Sequence, residues 1–318
     1  MIDRRLLKPG TRQLGLPAII LVLAIIFAVS HPNFATLSNL QNIARQASIL
    51  AIVAFGQMFP VLSGGLDISL GANVAAVSVL TALTSTWVGL EAAFLTGILF
   101  GGLVGAMNGT IGSKFHIHPL LVTLGSFTAL RGFALSVSGG VPISNLPPDY
   151  TYLGRGFLGP FPIPFVFAVV VFVLGGILLS RTRFGRYTYA IGGNEEAALI
   201  SGINVFRYKT LAYVFCGLLA GLTGVLLSSR VGSGEPNLGL ELNLESITAV
   251  LVGGVAFGGG RGRLRDVLQG VVLLSILSNG LNFSGIQYFT QQIIIGAILI
   301  ISVIVDRYRR EELRAGLS

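Results

Sequence analysis

Charge is what this sequence has least of. Asp, Glu, Lys and Arg make up 11% of its 318 residues, whereas a soluble domain carries about 25%. That excludes an ordinary water-soluble globular protein. Cysteine is nearly absent as well. Cys216 stands alone inside an apolar run, so no disulfide forms within the chain and no cysteine-based metal site exists. It reads as a small packed residue. His116 and His118 flank Ile117 with no cysteine or carboxylate nearby, which makes a poor metal site and reads as a solvated loop. The pattern G-x-x-x-x-G-K-[ST] does not occur, so this chain should not hydrolyse ATP alone. There is no H-E-x-x-H and no G-x-S-x-G. No chain of Asp, Glu and His crosses the apolar stretches, which argues against a proton-driven pump. No ring of like charges marks an ion channel. No catalytic residue, cofactor or metal is expected.

What is there is oil and glycine. Apolar residues reach 53%, with 43 Gly, and small residues let membrane helices approach closely. A span needs about 20 mostly apolar residues. Ten candidates follow, at roughly 14–30, 46–62, 68–87, 90–111, 119–138, 162–180, 210–230, 244–259, 266–282 and 285–305. The second and eighth look short and glycine-broken. The start, "MIDRRLLKPGTR", resembles a signal peptide, but the apolar run after it exceeds the usual 7–15 residues and more spans follow. It reads as a retained first helix. The expectation is an all-α polytopic membrane protein, a single domain over 1–318.

The 21 Lys and Arg test the topology. With ten spans, one side receives Arg4, Arg5, Lys8, Arg12 and Lys114. The same side receives the block Arg181, Arg183, Arg186, Arg207 and Lys209, then Arg261, Arg263 and Arg265, and the tail Arg307, Arg309, Arg310 and Arg314. The other side receives Arg45, Arg155 and Arg230, and Arg131 lies within the fifth run. This asymmetry predicts that both termini and the 181–209 loop are cytoplasmic. It also explains the +8 net charge without nucleic acid, since the basic residues form no stripe. Two outer loops, 139–161 and 231–243, are either plain connectors or surfaces that receive a partner.

Glycine-rich segments hint at symmetry. "VLSGGLDISLG" ends the second span and "VLVGGVAFGGG" the eighth; "GGLVGAMNG" lies in the fourth and "CGLLAGLTG" in the seventh. Spans two to five and seven to ten would then form an inverted repeat, a common transporter architecture. The polar groups at helix breaks or at depth are Ser63, Gly64, Gly65, Asp67, Ser69, Asn108, Thr123, Arg131, Glu245, Gly253 and Gly254. They are candidates for the pathway or for helix breaks. Asp67 reads as the N-cap of the third span or as lining the pathway. Arg131 reads as snorkelling to the interface, and Glu245 as a helix-start carboxylate. Asn108 and Thr123 read as interhelical hydrogen-bonding groups. "GGGRGR" (258–263) reads as a tight basic turn. Such a chain suits transport of a neutral polar solute driven from outside the chain. The alternatives are a stand-alone secondary transporter or channel, and a membrane-embedded enzyme, which the lack of clustered acids, histidines or nucleophiles disfavours.

Four segments carry a family resemblance: "SGGLDISLGA" (63–72), "NGTIGSKFHIHPLLVTLGSFTALRG" (108–132), "RTRFGRYTYAIGGNEEAALISGINV" (181–205), and "ITAVLVGG" (247–254) with "GGGRG" (258–262). Over nearly its full length the chain resembles the permease subunits of bacterial ABC importers for ribose, xylose, arabinose, galactose and related sugars. The resemblance implies a cytoplasmic-membrane importer with a second permease subunit, identical or paralogous, a cytoplasmic ABC ATPase and a periplasmic or lipoprotein sugar-binding protein. The third segment would couple to the ATPase through Arg183, Gly185, Arg186, Gly192, Gly193, Asn194, Glu195, Glu196, Ala197, Ser201 and Gly202. Within it, Gly192-Gly193 would end one turn and Asn194 would cap a short helix. Glu195 and Glu196 fall in its first turn, where the helix dipole favours acids. Ala197, Ala198 and Ile200 would pack, and Gly202 would end the helix. Two stretches depart from the family pattern. "NLESITA" (243–249) replaces an "ELDAIAA"-like run, and "RLRDV" follows the last glycines where small residues are usual.

Overall fold

The computed structural model describes residues 12–315, with side chains over 15–307. Arg4, Arg5 and Lys8, the signal-like start, and the side chains of Arg12, Arg309, Arg310 and Arg314 lie outside the described residues. In chain order the helices are α1 (Arg12–Ser30), α2 (Leu37–Leu62), α3 (Leu70–Val88), α4 (Leu90–Lys114) and α5 (Pro119–Ser138). A 3-10 turn (Pro148–Thr151), α6 (Tyr152–Arg155) and a two-stranded hairpin, β1 (Phe157–Leu158) and β2 (Phe161–Pro162), follow. Then come α7 (Ile163–Arg181), α8 (Arg183–Gly193), α9 (Glu195–Ile200), α10 (Val205–Val231), α11 (Leu242–Gly253), α12 (Leu264–Phe283) and α13 (Tyr288–Ala315).

The protein is an all-α polytopic membrane protein. Among the described residues, eight helices are long and apolar enough to cross a membrane, and two shorter apolar helices, Gly15–Ser30 and α11, lie where the other two spans were expected. α2 is almost wholly enclosed and α3 and α10 mostly so, while α5, α7 and α13 are largely exposed. A core helix and a lipid-facing helix look alike by composition; only the fold separates them.

One expectation needs correcting. The second span is not short: α2 runs for 26 residues. Its polar beginning is helical because Thr36 caps it, accepting from the Asn39 N–H at 3.4 Å. Buried Asn39 also exchanges two amide hydrogen bonds with Asn279 on α12, at 2.9 and 3.0 Å. The eighth span is short indeed, at 12 residues.

α4 and α10 make the most extensive helix pairing. Gly97, Gly101, Gly105 and Gly109 recur at four-residue spacing along α4 and meet Gly217, Gly221 and Thr210 of α10 backbone to backbone. This is the small-residue packing that membrane helices use in place of a hydrophobic driving force. The likeness between "GGLVGAMNG" and "CGLLAGLTG" is therefore that of two surfaces packed on each other.

Two faces of the bundle can be told apart. Arg45, Arg155 and Arg230 are neighbours at one end. At the other, Leu62, Gly192 and Gly260 meet. Both groupings match the alternation expected from the basic loops.

Candidate functional site

The polar block between α7 and α10 folds into two helices. α8 was not anticipated from the sequence. Thr182 starts it, accepting from the Gly185 N–H at 3.4 Å. Phe184, Thr188 and Ile191 are buried at i, i+4 and i+7, while Arg183 and Arg186 face outward. α8 is thus an amphipathic helix lying on the bundle. Phe184 is the anchor, with ring centroids 5.8 Å from Phe59 and 5.0 Å from Phe215. Gly185 lets α8 press onto the Leu179 carbonyl, where a Cβ has no room.

Gly192 and Gly193 are the last residues of α8 and not a turn of their own. Gly192 touches the Leu62 carbonyl and Gly260, leaving no space for a side chain. The Gly260 N–H donates to the Leu62 carbonyl at 3.0 Å. Gly259 and Gly260 have φ of +84° and +70°, backbone that other residues adopt at a penalty. The turn "GGGRGR" is thereby a junction. Through it the end of α2, the end of α8 and the loop after α11 share one point. The Tyr189 hydroxyl adds a 2.7 Å hydrogen bond to the Gly262 carbonyl. Burial first, and then the nearby Asp266, raise the Tyr189 phenol above its usual 10.0, so it stays a donor.

α9 follows after one residue. Asn194 accepts from the Ala197 N–H at 2.9 Å. Gly202, with φ +80°, closes the helix. Its N–H donates to Leu199 and that of Ile203 to Ala198, at 3.0 and 3.1 Å. That is a Schellman end, and the Ser201 hydroxyl adds a bond to the Ala197 carbonyl at 2.7 Å. The packing assignments change. Ala198 is buried, but Ala197 is exposed and Ile200 points away from the bundle, because a six-residue helix has one inward position per turn. Leu199 is 64% and Ile200 88% exposed. The two acids also separate. Glu195 pairs with Lys209, whereas Glu196 makes no ion pair or side-chain hydrogen bond among the described residues.

Above the junction the chain is unwound from Ser63 to Ser69. Side chains from four helices hold this irregular backbone. Gln57, with its amide oxygen toward the Asp67 N–H, makes two 3.2 Å hydrogen bonds with the Asp67 main chain. Tyr213 donates to the Leu66 carbonyl at 3.2 Å, and Thr123 to the same oxygen at 3.5 Å. Asp67 is not the N-cap of α3. Its carboxylate accepts the Ser69 N–H and O–H at 2.9 and 2.6 Å, so it braces the turn before the helix, whose cap position is Ser69. A line of donors ends on it. Ser126 donates to Asn108 at 2.5 Å, Asn108 to Ser69 at 2.8 Å, and Ser69 to Asp67. Ser63 bonds back to Pro60, Gly64 turns with φ +85°, and Gly65 lies under the Tyr213 hydroxyl. Gln57, Ser126 and Tyr213 escaped sequence analysis. Their only signal was a polar atom inside an apolar run.

The remaining candidates lie apart. Glu245, in the first turn of α11, accepts from Gln292 of α13 at 3.3 Å. Gly253 packs on the Asp266 carbonyl, and Gly254, with φ +110°, ends α11. Arg131 is exposed on α5. The same face of α5 carries Gly125, Thr128 and Gly132, with open space over both glycines. His118 is exposed and also caps α5, accepting from the Leu120 N–H at 3.3 Å.

Residues 39–303 match a family described as branched-chain amino acid transport system / permease component. The chain is 40% identical over 289 residues to the ribose import permease protein RbsC of Bacillus subtilis, covering 90% of each chain. It is 35% identical over 307 residues to the L-arabinose transport system permease protein AraH of Escherichia coli, covering 95% of this chain and 92% of that one. It is 32% identical over 290 residues to the D-allose transport system permease protein AlsC of Escherichia coli, covering 90% and 89%. No solved structure matches.

Proposed function

The chain belongs to this permease family, among the sugar-importer members, and from that we propose that it forms the membrane channel of an ATP-driven importer for a monosaccharide. The family match mentions amino acids, but the relatives that cover nine-tenths of the chain bear sugar names; the proposed cargo is a ribose-like pentose or related sugar. A separate ABC ATPase would bind on the basic, cytoplasmic face and hydrolyse ATP. A sugar-binding protein would deliver the solute from outside, and a second permease subunit would complete the channel. Both termini would be cytoplasmic.

One observation carries this reading: α9 holds Leu199 and Ile200 in the open, 64% and 88% exposed. The helix lies outside the helices apolar enough to span a membrane, and an apolar pair left open there is what a docking partner would cover. The end of α8 packs on the end of α2 and on the loop after α11, so a partner gripping α9, one residue beyond α8, would pull on that junction. The solute path would run along the α5 face of Gly125, Thr128 and Gly132, whose small and polar residues contrast with the continuous apolar surface of α7.

The test uses Ile200→Glu and Glu196→Arg, with the companion ATPase co-expressed. Both variants should insert normally, lose co-purification of the ATPase and lose uptake. Normal uptake by the double variant would overturn docking through α9. Solute exchange catalysed by the purified chain alone in liposomes would favour a stand-alone transporter.

A further inference from the structure

Arg45, Arg155 and Arg230 come from distant parts of the chain and converge on the face opposite the junction. Arg155 caps α10, donating from Nε to the Arg230 carbonyl and from Nη2 to the Val231 carbonyl, both at 2.7 Å. Arg45 donates weakly, from Nη2 to the Arg155 carbonyl at 3.4 Å and from Nη1 to Asn42 at 3.3 Å. Its guanidinium carbon lies 5.0 Å from the centroid of the Phe157 ring. Its Nε is shielded from solvent and has no hydrogen-bond partner. Arg230 joins the group through its carbonyl, which Arg155 holds while the Arg155 carbonyl accepts from Arg45. No carboxylate pairs with them among the described residues; the carboxylates of Glu195 and Asp266 pair with Lys209 and Arg265 instead. Three like charges gathered without a counter-ion, one of them with an unmet buried donor, form a site short of an anion.

Its depth says which anion. From Arg45 to Leu62, α2 rises about 26 Å at 1.5 Å per residue, a little less than the roughly 30 Å of bilayer hydrocarbon. Leu62 marks the far face, so Arg45 stands at the near boundary, the level of lipid phosphates. The hairpin beside it exposes Phe157, Leu158 and Phe161 by 43%, 64% and 53% and leads into lipid-facing α7. Aromatic groups and arginines at one level are the marks of a membrane interface.

We propose that Arg45 and Arg230, beside the Phe157 hairpin, bind the phosphate of an anionic phospholipid whose chains lie against α7. The site requires only that the chain spans a membrane, and it is independent of the cargo.

The full-length protein is reconstituted in phosphatidylcholine vesicles doped with spin-labelled phosphatidylglycerol or, in parallel, spin-labelled phosphatidylcholine. Wild type should immobilise phosphatidylglycerol preferentially. Removing each charge should lower that preference about fivefold, so the Arg45→Gln/Arg230→Gln protein should treat the two lipids alike. Arg45→Lys/Arg230→Lys should retain most of the preference, which separates lost charge from a damaged fold, and Arg131→Gln should retain all of it. Equal immobilisation of both lipids by wild type would overturn the proposal. So would a charge-neutral variant that keeps its lipid preference but loses affinity for an extracytoplasmic binding protein, since the arginines would then be a protein-docking patch.

Discussion

A methyl group added at Gly221 measures how tightly α4 and α10 are joined. A Cβ there would stand 2.8 Å from the Gly97 carbonyl oxygen and 2.8 Å from the Ile98 Cα. Both are main-chain atoms of α4, so no rotamer change makes room. Carbon contacts settle near 3.5–4.0 Å, so the two helices have to part by about 0.7 Å. That motion also opens the contacts at Gly101, Gly105 and Gly217. Overpacking of a close-packed seam costs about 1–3 kcal/mol. Cys216 supplies the readout: it is the sole thiol and fully buried on α10. Maleimide reaches it only when α10 loosens. Gly221→Ala should therefore speed alkylation in native micelles by roughly 5- to 150-fold, the same free energy expressed as a population. Gly296→Ala is the control, because nothing lies within 4 Å of that site on α13; it should leave the rate unchanged. If the two variants label alike, the seam is not the rigid pairing described.

Three further outcomes follow from the same geometry. Glu196→Arg should abolish ATPase co-purification by itself, whereas Lys209→Ala, which breaks an exposed pair with Glu195, should change stability by less than about 1 kcal/mol in a thermal melt; equal damage from both would refute the division of labour between the two acids. Asn108→Leu strands the part-buried Ser126 hydroxyl and removes the donor to Ser69, which keeps its bond to Asp67; a loss of about 1–3 kcal/mol should appear as faster Cys216 labelling, and wild-type labelling would mean that the line of donors ending on Asp67 does not hold the unwound segment. Tyr189→Phe removes the 2.7 Å bond to Gly262, worth about 1 kcal/mol; the ATPase should still co-purify, but its stimulation by loaded binding protein should fall, and unchanged stimulation would place Tyr189 outside the coupling route.

The sequence was most readable where structure is local. Apolar runs placed most of the helices, though α2 begins nine residues before its apolar run and α11 ends six residues before its own, and Asn194 and Gly202 delimited α9 because caps act within one turn. It was least readable where distant segments decide. The start of α2 looked like loop because Asn39 is polar, and it is helical because Asn279, from α12, satisfies it. Ile200 looked like a packing residue by type, yet Ala198 took the one inward position. α8 hid behind its arginines, since only Phe184, Thr188 and Ile191 face the bundle. Asp67 had the composition of a cap but serves a turn two residues ahead of one. The arginines at 45, 155 and 230 were counted as loop charges, and nothing in their spacing said that they meet.

The junction of Leu62, Gly192 and Gly260 has a mechanical consequence. Its touching surfaces are carbonyl oxygens, amide groups and α-hydrogens, so no side-chain rotamer can yield under load. Ordinary packing contacts behave as springs, absorbing small strains by rotamer shifts. This one has no side chain between the backbones to do so. A stroke delivered at α9 would arrive at the unwound segment nearly at full amplitude, and any side chain introduced at residue 192 would act as play in the linkage.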